Sequence, residues 1–426
     1  MAQKAIREYF GKKLIYRFLP EFFPDFNQEY SGVSINKNDL GKIKIPTVED
    51  GYIVKPDELF GKRGKNNLIY KAKSPEDVKT WIKDKTARSV TITRGANDPG
   101  IKDTLQTFIV EPFVKHDNEF YVAIKTEREG NILYISNRGG VDVEKNWDDV
   151  LQIKLPFSKD ASPLSQTIRE RITSYVKGVE GKKFVVTFIS ALHELFTYLD
   201  FTYLEINPFT VVDNKVYILD LVARLDSTAL YHSYSLWSEA GEVEFPKPFG
   251  DHNSKAEDVI EELDEKSGAS LKLKILNPEG RIWMLTSGGG GSVIFADTVG
   301  DLGHAGELAN YGEYSGNPTT DETEAYAGVV LGEMLQSNAK NKVLIIGGGI
   351  ANFTDVKKTF TGVVRAIQTK SKQMKAQKIK VYVRRGGPNH KEGLEMIETE
   401  VKKMGIPIEV HGPETYMTEI IKIALK

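Results

Sequence analysis

The chain of 426 residues contains no cysteine. That excludes a disulfide framework, a thiolate metal site and a cysteine nucleophile. It also lacks a large charge of either sign. Its 57 basic and 59 acidic side chains leave a formal net charge of -2. There is no global basic field of the kind that nucleic-acid binding leaves, so no nucleic-acid partner is expected. Long apolar runs are missing too. The greasiest stretch, residues 184–196, is broken by His193 and Glu194. It is too short to span a bilayer, which needs about 20 apolar residues. The first 13 residues alternate charged and apolar side chains, unlike a secretory signal. A cytoplasmic chain with no membrane partner is the expectation. Two phosphate-binding signatures are absent as well. Neither Gly-x-x-x-x-Gly-Lys-Ser/Thr nor Gly-x-Gly-x-x-Gly in proper register occurs, which argues against a P-loop enzyme and a dinucleotide fold. The seven histidines show no metal-ligand spacing, and His304, set between glycines, reads as structural.

What is present is ordinary in bulk, with 40% apolar and 27% charged residues. The length suits two or three domains at roughly 100–200 residues each. The first half mixes strands and helices. Its pattern predicts a helix over residues 2–10, strands over 53–56 and 69–71, and a helix opening at Ser74 with Pro75 at its first position. It also predicts a strand over 107–114 interrupted by Pro112, a hairpin from 119–125 and 131–136, and helices over 165–175 and 183–199. Residues 244–258 are rich in proline and polar side chains and read as a linker between domains 1–243 and 259–426. The second half alternates strands (281–286, 343–346, 378–383, 406–410) with helices (321–336, 355–369, 390–404, 415–425). That rhythm implies a parallel sheet with right-handed crossovers, whose ligands bind at the carboxyl ends of the strands.

Several segments carry chemistry. Asn207 ends one apolar run and Asp220 the next, with Asp213-Asn214 as a hairpin turn between them. A carboxylate and an amide carbonyl on adjacent strands form a sparse hard-oxygen site of the kind Mg²⁺ prefers, because that ion takes its remaining ligands from water and nucleotide phosphates. Lys55, Lys62, Arg63 and Lys65 lie close to Gly61 and Gly64. Such a loop can wrap a polyphosphate, and a solvated basic loop is the alternative. Glu111-Pro-Phe113 at a strand end can offer backbone groups to an adenine edge, or is an ordinary strand terminus. In the second half three strands end in Ser287-Gly-Gly-Gly-Gly-Ser292, Gly347-Gly-Gly-Ile-Ala-Asn-Phe-Thr-Asp355 and Arg384-Arg-Gly-Gly-Pro-Asn389. Glycines allow close backbone approach, and paired arginines suit a small polycarboxylate, with phosphate as the competitor.

Thr202-Tyr-Leu-Glu-Ile-Asn-Pro208 with Asp220 resembles the ATP-grasp domain of the nucleoside diphosphate-forming acyl-CoA synthetases, of which the succinyl-CoA synthetase β chain is a member. The segments at 264–273, 308–316, 347–354 and 383–389 are similar to the N-terminal portion of the ATP-citrate lyase family, and the likeness runs along the whole chain. The resemblance implies an α/β protein, an ATP-grasp domain followed by a flavodoxin-like parallel-sheet CoA-ligase domain. It implies that Asn207 and Asp220 hold Mg²⁺, that Lys55, Arg63 and Gly64 contact ATP phosphates, and that Glu111, Phe113 and Glu119 hold adenosine. Gly316, Asn352, Thr354 and Arg385 would bind citrate. The glycines 288–291 would lead into a segment facing a phosphohistidine loop. Members of the family carry that histidine, the main coenzyme A site and a lyase module beyond the region corresponding to residues 1–426. A partner subunit in a hetero-oligomer is therefore expected to supply the histidine and most of the coenzyme A site, with no catalytic residue here. The activity implied is activation of citrate to citryl-CoA, as one subunit of either a two-chain ATP-citrate lyase or a citryl-CoA synthetase. A succinyl-CoA or other acyl-CoA synthetase β chain is the alternative, and the double arginine favours the tricarboxylate.

Overall fold

The computed structural model describes residues 3–93, 98–140, 143, 146–157, 163–179, 181–351 and 353–426. The chain divides into two compact units, Met1–Asp251 and His252–Lys426.

The N-terminal unit is built on a seven-stranded antiparallel sheet. Its strands run in the order Gln3–Ile6, Leu221–Asp226, Phe201–Val212, Phe120–Glu127, Gly130–Ser136 and Leu151–Leu155, with Lys215–Ile218 also paired to Phe201–Val212. The central strand alternates inward Leu204 and Ile206 with half-buried Tyr203 and Glu205, as period-two geometry requires. The helix Lys182–Tyr198 buries Val185, Phe188, Ile189, Leu192, Leu195 and Phe196. Their spacing of three and four residues makes one apolar stripe, and it packs with the inward strand residues in the main core. Asp213 and Asn214 turn Phe201–Val212 into Lys215–Ile218 with φ of 49° and 60°. Those left-handed values are what a two-residue hairpin turn needs, and Asp and Asn tolerate them. A second antiparallel sheet, ordered Val33–Asn36, Thr107–Pro112, Tyr52–Pro56 and Tyr70–Ala72, has its own core of Val54, Phe108, Val110 and the residues of the helix Pro75–Thr86.

One expectation is corrected here. The helix read over residues 2–10 is a strand, Gln3–Ile6, followed by a helix, Glu8–Phe18. The strand exists because it pairs with Leu221–Asp226, more than 200 residues away. The helix starts at Glu8 because the carboxylate of Asp57 accepts hydrogen bonds from the Glu8 and Tyr9 backbone N–H groups at 2.8 and 3.2 Å. That cap comes from a distant segment, so local propensity could not show it.

The C-terminal unit holds a four-stranded parallel sheet, ordered Ile282–Ser287, Val343–Gly348, Lys380–Arg384 and Ile408–His411. The helices Thr320–Gln336, Val356–Ala376 and His390–Lys403 contribute to the larger of its two cores, and Gly289–Asp301 and Met417–Leu425 to the other. Ser254 opens the first helix, Lys255–Lys266, with a capping box to Glu257. A two-stranded antiparallel sheet, Ser270–Ile275 with Asn310–Ser315, was not foreseen. Buried Asn310 joins it to the parallel sheet. Its amide accepts from Met284 N at 2.8 Å and donates to Met284 O at 2.9 Å.

Replacing Asn310 with Ala leaves both Met284 backbone groups buried and unpaired, at about 1–3 kcal/mol each. Urea unfolding should therefore show a loss of roughly 2–4 kcal/mol for the C-terminal unit, whereas a loss below about 0.5 kcal/mol would mean the two sheets do not depend on this amide.

Candidate functional site

The N-terminal unit contains a cavity of about 450 Å³. It lies where the last residues of several strands meet. Lys55 is the next-to-last residue of Tyr52–Pro56, Glu111 and Pro112 end Thr107–Pro112, and Asn207, within Phe201–Val212, lies opposite Asp220 on the return arm of the Asp213 hairpin. The Asn207 backbone N–H donates to Asp220 O at 3.1 Å. All eight residues expected at the nucleotide and metal line this one cavity: Lys55, Arg63, Gly64, Glu111, Phe113, Glu119, Asn207 and Asp220. Lys62 and Lys65 line it too.

The polar floor of the cavity is a network of charges. Lys55 Nζ lies 2.8 Å from Asp220 Oδ1 and 2.8 Å from Glu8 Oε1. Arg63 Nη1 lies 2.7 Å from the same Asp220 oxygen and 2.9 Å from Glu8 Oε2. Lys12 Nζ bridges Glu8 at 2.9 Å and Glu111 at 2.7 Å. Glu111 also accepts from the Tyr30 hydroxyl at 2.9 Å. Side chains of Glu8 and Lys12 are wholly buried, while that of Asp220 is 36% exposed. Burial alone would push the Glu8 carboxyl up. Lys12, Lys55 and Arg63 overcome it and hold the group well below the usual carboxylate range. Burial, followed by the neighbouring charge of Glu8, pushes Asp57 up to about 6.

The donor set fits a magnesium ion. Asn207 Oδ1 and the Asp220 carboxylate are hard oxygens, few in number, and the nearby cations suit phosphates that would complete the coordination. Asn207 Oδ1 already accepts from the Gly140 N–H at 2.7 Å, which fixes the amide orientation and leaves the carbonyl a second lone pair. At the other end of the cavity the Phe113 ring carries Lys71 Nζ 3.2 Å from its centroid, and Glu119 pairs with His116 at 3.1 Å.

Sequence reasoning missed Glu8, Lys12, Tyr30, Asp57 and Gly140. The Glu8–Lys12 spacing of four was a visible signal for one ion pair on one helix face. Nothing local signalled that this pair would be buried against Lys55 and Arg63.

In the C-terminal unit, Arg384 and Arg385 are both buried, and their roles differ. Arg384 donates to the carbonyls of Thr415, Gly348 and Pro413 at 2.7, 2.9 and 3.2 Å. These bonds tie its strand end to the end of Val343–Gly348 and to the loop between Ile408–His411 and Met417–Leu425. Arg385 donates to Ser287 Oγ at 2.8 Å and to Gly349 O at 2.5 Å. Among the described residues no carboxylate pairs with it. Burial, with a further push from Arg384, lowers its affinity for its proton, a cost that an anion at this point would offset. The Tyr314 hydroxyl beside it is buried with no hydrogen-bond partner, and burial pushes that group up to about 12. Gly348 permits the approach of the guanidinium, because a Cβ there would lie 2.6 Å from Arg385 Nη1. The loop after Val343–Gly348 is laced to the loop after Lys380–Arg384. Ala351 N donates to Gly386 O, Val356 N to Pro388 O, and Asn389 to the Asp355 carboxylate. Thr354 is buried on the first of these loops. Gly316 follows the strand Asn310–Ser315, with φ of 76°. Asn352 lies outside the described residues. The glycines 289–291 open the helix Gly289–Asp301, so their N–H groups form a helix start.

Two family models cover the chain. The model described as the ATP-citrate synthase ATP-grasp domain matches residues 2–237, and the one described as ATP citrate lyase citrate-binding matches 251–426. The chain is 43% identical to ATP-citrate synthase alpha chain protein 2 of Arabidopsis thaliana, over 100% of this chain and 99% of that one. It is 40% identical to the ATP-citrate synthase of Homo sapiens, over 100% of this chain and 38% of the human one. It is similar to the solved ATP citrate lyase of Methanothrix soehngenii in complex with citrate and coenzyme A, with TM-score 0.84, 42% identity and full coverage of both chains. With an ATP-grasp domain in front and a citrate-binding domain behind, each matched along its length, the chain belongs to the ATP-citrate synthase family, whose members include the ATP citrate lyases.

Proposed function

We propose that this chain is the citrate-activating subunit of an enzyme that uses ATP and Mg²⁺ to make citryl-CoA. One observation carries the reading. Eight residues expected at a nucleotide–metal site, spread from Lys55 to Asp220, converge on one cavity, in a chain whose first half matches an ATP-grasp domain. Lys55, Arg63 and the backbone at Gly64 contact the phosphates. Phe113, with Glu111 and Glu119, faces adenosine. Asn207 and Asp220 hold the metal. Bound there, Mg²⁺ supplies charge neutralisation during phosphoryl transfer, in which positioning and electrostatics provide most of the rate. Domain 1–243 is thus the nucleotide domain, 244–258 the linker and 259–426 the citrate domain.

Citrate is held by Gly316, Asn352, Thr354 and Arg385. The buried guanidinium of Arg385, which meets no carboxylate among the described residues, supports this assignment most strongly. The ATP γ-phosphoryl group passes to a histidine outside these residues, and from it to a citrate carboxylate, giving citryl phosphate. The coenzyme A thiolate then attacks the acyl carbon and inorganic phosphate leaves. A covalent carrier divides one hard step into easier ones. The histidine and the main coenzyme A site belong to a second subunit in a hetero-oligomer. Support comes from the near-complete match to a relative named an alpha chain. The succinyl-CoA synthetase reading is not favoured, because the second half matches a citrate-binding model along its whole length.

Arg385→Ala should weaken citrate binding by roughly 2–5 kcal/mol, the cost of losing a desolvated charge pair. Calorimetric titration of citrate checks this, and an unchanged affinity removes Arg385 from the site. Asp220→Asn should abolish ATP-dependent turnover in the assembled complex while citrate binds the variant as before. In that complex, coenzyme A-dependent ADP release should respond to citrate and not to succinate, and a preference for succinate would reverse the assignment.

A further inference from the structure

Glu8 is assigned no role by the reading above, yet it touches both cations that the reading places on the phosphates. Its two oxygens reach Lys55 Nζ at 2.8 Å and Arg63 Nη1 at 2.9 Å. The same two cations share Asp220 Oδ1. Asp220 is the more exposed acid and the one expected on the metal, whereas the Glu8 side chain is wholly buried. A carboxylate that serves a metal cannot hold two cations in the same way. Glu8 then remains as the acid that fixes both of them. Its own position is set from the opposite direction. Asp57, two residues past Lys55, accepts the Glu8 and Tyr9 N–H groups, and Arg7 donates to the Asp57 carbonyl at 2.6 Å. The turn after Tyr52–Pro56 and the start of Glu8–Phe18 are therefore stitched twice, once through each carboxylate.

We propose that Glu8 is a positioning residue for nucleotide binding: it holds Lys55 and Arg63 at the separation and direction the phosphates require, with Asp57 locking the helix start that carries it. This rests on the nucleotide reading of the cavity. Glu8 touches no substrate in this scheme and acts only through the two cations. Its geometry suits the task. A glutamate at the first helical position is favoured by the helix dipole, and its two oxygens divide between an ammonium and a guanidinium whose preferred contacts differ.

The test uses the full chain and Mg·ADP as the titrant in calorimetry, with citrate as a second titrant. Glu8→Gln keeps the shape and removes the charge. It should bind Mg·ADP at least about tenfold more weakly, the loss of one charge-assisted contact, and bind citrate as the unsubstituted chain does. Glu8→Asp keeps the charge on a shorter stem and should recover part of the affinity. A merely structural role predicts a lower melting temperature with unchanged Mg·ADP affinity in the folded variants, and that result overturns the proposal. Failure of both variants to fold overturns it likewise, in favour of a structural role. Lys55→Ala separates the two levels of inference. If it loses Mg·ADP while Glu8→Gln retains it, the positioning role alone falls. If Lys55→Ala also binds normally, the nucleotide reading of the cavity falls first.

Discussion

A charge taken out of water must find an opposite charge, and the front half of this protein is organised around that demand. Lys12, Lys55 and Arg63 sit against Glu8, Glu111 and Asp220, with contacts of 2.7–2.9 Å. These residues come from the first helix, from the second sheet, from the turn just before Leu221–Asp226 of the seven-stranded sheet, and from the loop between Tyr52–Pro56 and Tyr70–Ala72. Each cation touches at least two of the acids, so removing one acid weakens the hold on its cations and leaves the buried charges unbalanced, which is costly away from water. The network thus joins the two sheets by electrostatics where no strand pairing joins them. It also aims two cations into a cavity, because one of the acids, Asp220, is only partly covered.

The rear half solves the opposite problem. Arg385 is buried beside the Tyr314 hydroxyl with a hydroxyl and a carbonyl for partners. A protein seldom leaves a guanidinium so placed without an anion. The neighbouring Arg384 shows what a purely structural arginine looks like in the same strand end, with three backbone carbonyls on its nitrogens. The two adjacent arginines read alike in the sequence. Their different partners become visible only in the fold, where Arg384 closes the strand Lys380–Arg384 and Arg385 follows it. In the front half the cations are held by the chain's own acids, and in the rear half, among the described residues, a buried guanidinium has no acid beside it.

The parallel sheet was legible because its strands are short apolar runs between helices with clear starts. Ser74 before Pro75 marked one helix of the front half, and it is observed as an N-cap on Asp77 N. Asp213-Asn214 marked the hairpin that sets Asn207 beside Asp220, because few residues accept its left-handed backbone. Two things were hidden. The edge strand Gln3–Ile6 has no local signal strong enough to outweigh a helical pattern, and only its partner Leu221–Asp226 decides it. The strand Asn310–Ser315 contains Gly312, a residue that weakens a strand reading, and there the glycine lets the Lys272 carbonyl pass at 2.2 Å from where a Cβ would stand. Glu8 was hidden for the same reason as its cap. Apart from Lys12, its cationic partners Lys55 and Arg63 lie 47 and 55 positions further along the chain, and a single sequence gives no register for such contacts.

The most direct measurement is a crystal structure of the chain grown with Mg·ADP and citrate together. The account predicts the diphosphate against Lys55 and Arg63, the ion on Asn207 and Asp220, Glu8 still on both cations, and citrate on Arg385. Nucleotide density away from the Lys55 cavity, or citrate bound without contact to Arg385, would contradict it.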